Sequence, residues 1–118
     1  MLFDKIRDRV IKTYNKDHNY IQQAKEVVKI SLEEHGLGGC SDDLINFYTL
    51  LVLTEGSWTA LTDEDIHDAW AVWQNISNPD HKSIVRFKYL EPDIKKLDVP
   101  YTNALNDAAS ILFGGEVW

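Results

Sequence analysis

The sequence predicts a mainly α, compact single-domain helical bundle of about five to six helices with little or no β structure. The chain has 118 residues, of which 44% are hydrophobic and 26% are charged, and this size and balance are typical of one globular domain. Apolar residues also recur at intervals of three and four, the spacing of helices with one buried face. We therefore expect residues 1–118 to form a single domain.

Three helices are predicted in residues 1–54. The first two carry apolar stripes over residues 3–14 and 21–32 and meet near residues 15–17. His35 and Gly36 end the second helix, and glycines 36, 38 and 39 form a loop that lacks the Lys-Ser/Thr of a phosphate-binding loop. Ser41 or Asp42 caps a third helix over residues 43–54, which is so apolar that we expect it at the centre of the core.

The remaining elements are predicted in residues 61–115. Thr62 reads as the N-cap of a fourth helix over residues 63–75, with acidic residues in its first turn. A turn at 78–80, a short extended segment at 83–87 and a helical turn at 91–97 follow. Asp98, with Pro100 just inside, begins a last helix that the glycines at 114 and 115 end.

Charge and composition exclude several classes of protein. The 19 acidic against 12 basic residues give a net charge of -7, which repels nucleic acid polymers. The single cysteine, Cys40, cannot form an internal disulfide, so we expect a cytoplasmic protein. The start of the chain lacks the apolar run of a signal peptide, and the longest apolar run, 50–53, is far shorter than the ~18 residues of a membrane span. No membrane partner is expected.

Catalysis is not predicted. The four histidines stand in no metal-binding motif, and Cys40 has no local signature of a nucleophile. Pairs of carboxylates arise by chance among 19 acidic residues, and most such pairs are solvated helix faces. We therefore expect no enzyme, no catalytic residues, no metal site and no cofactor.

The predicted fourth helix has two adjoining faces of different composition. The apolar face carries Ile66, Trp70 and Trp73, and the polar face carries Asp63, His67 and Gln74. Trp73 is better explained as a core residue. A core role for Trp70, with His67 bonded to Asp63, is the simpler alternative. Because His67 and Gln74 flank Trp70, we favour a ring that stacks on a planar ligand.

Four segments of the second half resemble, in order and spacing, the repeat domain named for the ryanodine receptor (RyR domain). They are residues 64–71, 78–79 with 83–90, 96–98 and 103–105. The resemblance covers residues 61–115, whereas residues 1–54 have no counterpart in that domain. Over most of its length the chain is also similar to small uncharacterised actinobacteriophage proteins that carry the same His-Asp-Ala-Trp segment, residues 67–70. A phage-encoded chain would act in the host cytoplasm.

The resemblance implies ligand binding. RyR domains bind adenine nucleotides between two copies, so Trp70 would be the stacking ring and His67 a polar contact. Gln74 stands where that domain has an arginine, which removes a charge that would pair with phosphate. Lys82, Arg86 or Lys88 would replace it, unless these three form only an exposed basic edge. Because one chain holds a single copy, the site would need a homodimer, a higher homo-oligomer or the chain's own N-terminal helices.

The sequence thus predicts a non-catalytic small-molecule-binding protein that captures a nucleotide-derived ligand, such as a phage sponge for a nucleotide immune signal. Prokaryotic relatives of the RyR domain are associated with nucleotide-signalled defence. The predicted ligand-binding residues are Asp63, His67, Trp70, Trp73, Gln74, Arg86 and Lys88. One alternative is a protein-interaction module with exposed Trp58, Trp73 and Trp118. Another is a small hydrolase in which His67 is the general base and Asp63 or Asp68 orients it.

Overall fold

Helices make up most of the fold. A computed structural model describes residues 1–114, and these contain six α-helices, two short 3-10 segments and no β-strand. The helices are α1 (Leu2–Thr13), α2 (Tyr20–Glu34), α3 (Asp42–Thr54), α4 (Asp63–Ser77), α5 (Pro92–Lys95) and α6 (Val99–Phe113), and the 3-10 segments are Phe87–Tyr89 and Lys96–Asp98. The predicted all-α bundle of five to six helices is confirmed. The predictions for Gly115 and Trp118 fall outside the described residues.

Side-chain caps set the starts of three helices. The Asn19 side chain accepts a hydrogen bond from the Gln22 backbone N–H, and the Gln22 side chain returns one to Asn19, which starts α2. Ser41, rather than Asp42, caps α3 by accepting from the Leu44 N–H. The predicted cap of α4 is confirmed, because Thr62 and Asp65 form the same reciprocal pair.

The end of α2 sets the course of the loop that follows it. Gly36 directly follows the last residues of the helix and has a φ of 78°. Most residues with a Cβ avoid this left-handed region, so a glycine suits the position. The glycine-rich loop turns there and runs back to the start of α3.

The core lies between the long helices. Helix α2 packs against α1, α3 and α6, and the Ser31 hydroxyl donates a buried 2.6 Å hydrogen bond to the Ala104 carbonyl of α6. Helix α3 packs against α2, α4 and α6, which agrees with the predicted central position. The Leu50 side chain of α3 is 58% exposed.

The connection from α3 to α4 is fixed by the last helix. Asn106 of α6 accepts a 2.8 Å hydrogen bond from the Leu61 N–H and donates a 3.1 Å bond to the Leu61 carbonyl. Leu61 itself is buried in the core. These contacts hold the first turn of α4 against α6, and they thereby orient the helix that carries His67 and Trp70.

The segment between α4 and α6 contains turns where an extended stretch was expected. Residues 83–87 pair with no other segment in the described part of the chain, and a 3-10 turn follows at Phe87–Tyr89. The Val85 carbonyl accepts a hydrogen bond from the His67 side chain. Within residues 1–114, no helix has both the length and the apolar character needed to cross a bilayer.

Candidate ligand-binding cleft

A cleft of about 750 Å³ opens where the two halves of the chain meet. Residues of the first half line it from the loop after α2 and from α3, and residues of the second half line it from α4 and from the segments at 81–83 and 94–101. The residues that line the cleft include Gly36, Gly39, Cys40, Tyr48, His67, Trp70, Trp73, His81, Lys82, Asp98 and Tyr101. A single chain therefore supplies walls on several sides of the cleft.

Aromatic rings form much of the wall. Trp70 is half-buried and stacks on His67, with ring centroids 5.7 Å apart and planes inclined by 27°. His81 meets Trp70 nearly at right angles, with a centroid distance of 5.1 Å. On the other side, Tyr48 and Tyr101 lie 6.1 Å apart. Trp73 is also half-buried and packs on the core from the next turn of α4.

His67 is buried and held in one tautomer. Only 3% of it is exposed, and its Nε2 lies 2.7 Å from the Val85 carbonyl oxygen. A carbonyl only accepts, so Nε2 must carry the hydrogen, and Nδ1 of the neutral ring is an acceptor. The suggested bond between His67 and Asp63 is wrong, since Asp63 accepts from the Thr102 hydroxyl instead.

His81 is held in the opposite tautomer. Its Nδ1 accepts a 3.0 Å hydrogen bond from the Ser83 backbone N–H. A nitrogen that accepts carries no hydrogen, so Nε2 of the neutral ring is a donor. The two histidines that contact Trp70 thus present one acceptor, His67 Nδ1, and one donor, His81 Nε2.

Asp98 places a carboxyl group in the cleft at the start of α6. Burial raises its pKa to about 6, an effect that His67 opposes and that the nearby Asp63 carboxylate reinforces. The carboxyl caps no backbone N–H of α6. Within residues 1–114 it has no hydrogen-bond or salt-bridge partner. A half-buried carboxylate without a partner is an unusual arrangement.

Cys40 and the two tyrosines complete the polar wall. Burial raises the pKa of the Cys40 thiol, and a hydrogen bond to Tyr101 lowers it by a smaller amount. Burial likewise raises the pKa of Tyr48 and of Tyr101. All three groups are therefore uncharged at neutral pH and act as hydrogen-bonding groups.

Three of the seven predicted ligand-binding residues, His67, Trp70 and Trp73, line the cleft. The other four do not. Asp63 is engaged with Thr102, and Gln74 lies outside the lining. Arg86 and Lys88 are exposed outside it, with the Lys88 ammonium 5.0 Å from the Tyr89 ring centroid.

The three basic residues that were predicted to lie together near the ligand are therefore not all in the cleft. Of the three cations expected to replace the missing arginine, Lys82 lines the cleft, and Arg86 and Lys88 do not. The remaining tryptophans also differ from expectation. Trp58 is 77% exposed and lines a separate groove, Trp73 is half-buried rather than exposed, and Trp118 is not among the described residues.

Sequence reasoning missed several residues of the cleft. Tyr48 was assigned to the core, Asp98 to the start of a helix, and the glycines to a plain loop. Tyr101 and His81 carried no motif of their own. Apart from Asp98 and Tyr101, which are three positions apart at the start of α6, these residues lie on separate elements, and no spacing along the chain marks their meeting. The sequence feature that could have indicated this wall of the cleft was the pair of glycines at 36 and 39, both of which line it.

The described residues contain no cluster of three or more His, Cys, Asp or Glu side chains arranged to hold a metal ion. No curated protein and no solved structure matches the chain. The resemblance to the RyR domain stays a prediction. Residues 19–110 match a family described as a domain of unknown function (DUF7701), and this match includes every residue that lines the cleft. The chain therefore belongs to the DUF7701 family.

Proposed function

We propose that this protein is a non-catalytic small-molecule-binding protein that captures a nucleotide-derived ligand, with the base against Trp70. One observation carries the proposal: His67, Trp70 and Trp73 line one cleft of about 750 Å³. Ligand sites typically enclose ~300–1,000 Å³ and combine apolar walls with a few polar groups. A nucleobase presents a flat apolar face and a polar edge, and the cleft offers partners for both.

The polar groups match the edge of a base. His67 Nδ1 accepts and His81 Nε2 donates, on residues that both contact the Trp70 ring. Stacking of a base on an aromatic side chain contributes ~1–3 kcal/mol. That alone corresponds to a Kd in the millimolar range or weaker. A hydrogen bond that His67 accepts, one that His81 donates and a phosphate contact with Lys82 would strengthen the binding.

One feature supports binding without turnover. Burial raises the pKa of the Cys40 thiol, and a thiol with a raised pKa is a poor nucleophile at neutral pH. Sequestration of a ligand does not need this thiol to react.

The cleft draws on both halves of one chain, so the proposal does not require a second copy. Tyr48 and the glycine loop supply the wall that a partner subunit would otherwise provide. A homo-oligomer would multiply identical sites and suit a sponge acting in a host cytoplasm. The oligomer and the sponge remain parts of the proposal.

A thermal-shift experiment tests the proposal. The probes are adenosine, AMP, nicotinamide mononucleotide and cyclic dinucleotides. A ligand at 100 times its Kd adds ~2.7 kcal/mol of stability, which is several degrees for a domain of this size. We expect Trp70→Ala to abolish the shift and Trp58→Ala, the same substitution outside the cleft, to retain it. Failure of all probes, or an unchanged shift in Trp70→Ala, would contradict the proposal.

A protein-interaction module is the second candidate function. Trp58 is 77% exposed and lines a groove of about 690 Å³ together with Phe3 and Phe113. Exposed tryptophans in grooves are frequent anchors of protein interfaces. A second copy of this chain is the partner that can be tested directly. Light scattering that shows self-association in the wild type and in Trp70→Ala, but not in Trp58→Ala, would favour this function.

A further inference from the structure

We propose that the captured ligand carries a positive charge on its ring, as in an N-alkylated pyridinium or an N-methylated nucleobase. The Asp98 carboxylate and the aromatic walls of the cleft would recognise that charge together. This inference rests on the proposed function and narrows its ligand to a nucleoside or mononucleotide with a cationic heteroaromatic ring. It uses residues that a neutral, stacked base would leave without a role.

Asp98 supplies the negative charge. Its carboxyl lies in the wall of the cleft, half-buried, and no cationic side chain pairs with it within residues 1–114. Removing a carboxylate from water is costly unless a counter-charge replaces the lost hydration. The raised pKa of Asp98 reflects this cost. A cation bound in the cleft would lower the cost, so the free energy of binding would include that gain.

The aromatic rings of the cleft would make a second contribution to the binding of a cationic ligand. Four large aromatic side chains, Tyr48, Trp70, Trp73 and Tyr101, line the same cleft. The face of an aromatic ring is electron-rich and attracts a cation within about 6 Å of its centre, most strongly for tryptophan. A charged ring that stacks on Trp70 combines stacking with this attraction. A neutral ring gains only the stacking.

Among the described residues no lysine or arginine already occupies this role, although a charge on His67 acts on Asp98 in the same direction as a bound cation would. Arg86 and Lys88 lie outside the cleft, and Lys82 is exposed to solvent. His81 accepts a hydrogen bond through Nδ1, so the ring is neutral in this arrangement. The described walls thus present aromatic faces and a carboxylate inside, with one ammonium at an exposed position. This distribution favours a ligand with a cationic ring and a single phosphate over one with several phosphates.

Matched pairs of ligands test the inference. Nicotinamide mononucleotide and its reduced form differ by a hydride and by the positive charge of the ring. Likewise, 7-methylguanosine differs from guanosine by one methyl group and by a positive charge on the ring. We expect calorimetry on the full chain to show at least about tenfold tighter binding of each charged member. Equal affinity within both pairs would overturn the inference and leave the proposed function standing, whereas no binding by any of the four would contradict both.

Asp98→Asn tests whether the Asp98 carboxylate recognises the charge of the ligand. The amide keeps the shape of the side chain and removes its charge, so the preference for the charged member within each pair should fall to about threefold or less. Asp93→Asn, an exposed acidic residue outside the cleft, is the matched control and should keep the full preference. A full preference retained in Asp98→Asn would overturn the inference, as would an equal loss in Asp93→Asn.

Discussion

The charge state of Asp98 affects the stability of the folded chain. Its pKa is raised from an ordinary value of 3.8 to about 6, chiefly by burial. A raised carboxyl pKa means that the fold disfavours the charged form. Below pH 4 this group therefore does not affect the stability of the folded chain, and the folded chain loses stability as the pH rises through 6. The carboxyl is half-exposed, so solvent screening reduces the effect.

We therefore expect Asp98→Asn to stabilise the protein at pH 7.5, by about 1 kcal/mol or less after screening. The gain should shrink as the pH falls and vanish near pH 4, where both side chains are neutral. Urea unfolding of both proteins between pH 4 and pH 8 measures it. Asp93→Asn should show no such trend. A gain for Asp98→Asn that is the same at pH 4 and pH 7.5 would show that charge is not its cause.

Single residues of the cleft were predictable only where one element carries them. His67 and Trp70 lie three positions apart on one helix, and a helical pattern places them on neighbouring turns. Tyr48, Asp98 and Tyr101 come from two other elements, so their proximity depends on how α3, α4 and α6 pack. Periodicity along a sequence carries no information on that packing. The same limit explains why Arg86 and Lys88 were assigned to the site.

At the scale of elements, the start of α4 is a sensitive point. Thr62 caps the helix that carries His67 and Trp70. We expect Thr62→Ala to lower the free energy of unfolding by ~1 kcal/mol, because a backbone N–H in the first turn loses its acceptor. The melting temperature should fall by several degrees.

Two variants control this prediction. Thr62→Ser keeps the capping oxygen and should restore most of the stability. Thr59→Ala removes an exposed threonine side chain from the preceding loop and should have little effect. Thermal unfolding followed by circular dichroism measures all three variants. If Thr59→Ala were as destabilising as Thr62→Ala, the cap would not be the cause.

The helices were predictable because residues within or next to each helix determine its ends and its buried face. Thr62 and Ser41 cap the helices that they precede, and Gly36 ends α2 with a left-handed turn. The expected extended stretch at 83–87 failed because a strand needs a partner strand, and none of the described residues supplies one. Its Val85 carbonyl bonds to the His67 side chain instead, a contact that spans 18 residues.

The whole molecule depends on contacts between its two halves. The Ser31 hydroxyl bonds to the Ala104 carbonyl, and the core combines residues of α1, α2 and α3 with those of α4 and α6. Neither half encloses a core by itself, and chains of ~60 residues are only marginally stable even with one. We expect fragments 1–60 and 61–118 to lack a cooperative unfolding transition when separate.

Urea titration of each fragment, followed by circular dichroism, measures this. The equimolar mixture is the control, since it offers every contact of the intact chain. A cooperative transition in fragment 61–118 alone would contradict the expectation. It would also mean that the region resembling the RyR domain folds independently of the N-terminal helices.

The paired hydrogen bonds between Asn106 and Leu61 also affect the order in which parts of the chain fold. They join groups 45 residues apart, so the connection before α4 cannot take its final form until α6 has docked. Contacts between neighbouring helices α1, α2 and α3 close short loops and form sooner. During synthesis, a nascent chain whose Asn106 is still inside the ribosome therefore lacks both bonds, and its cleft is completed late.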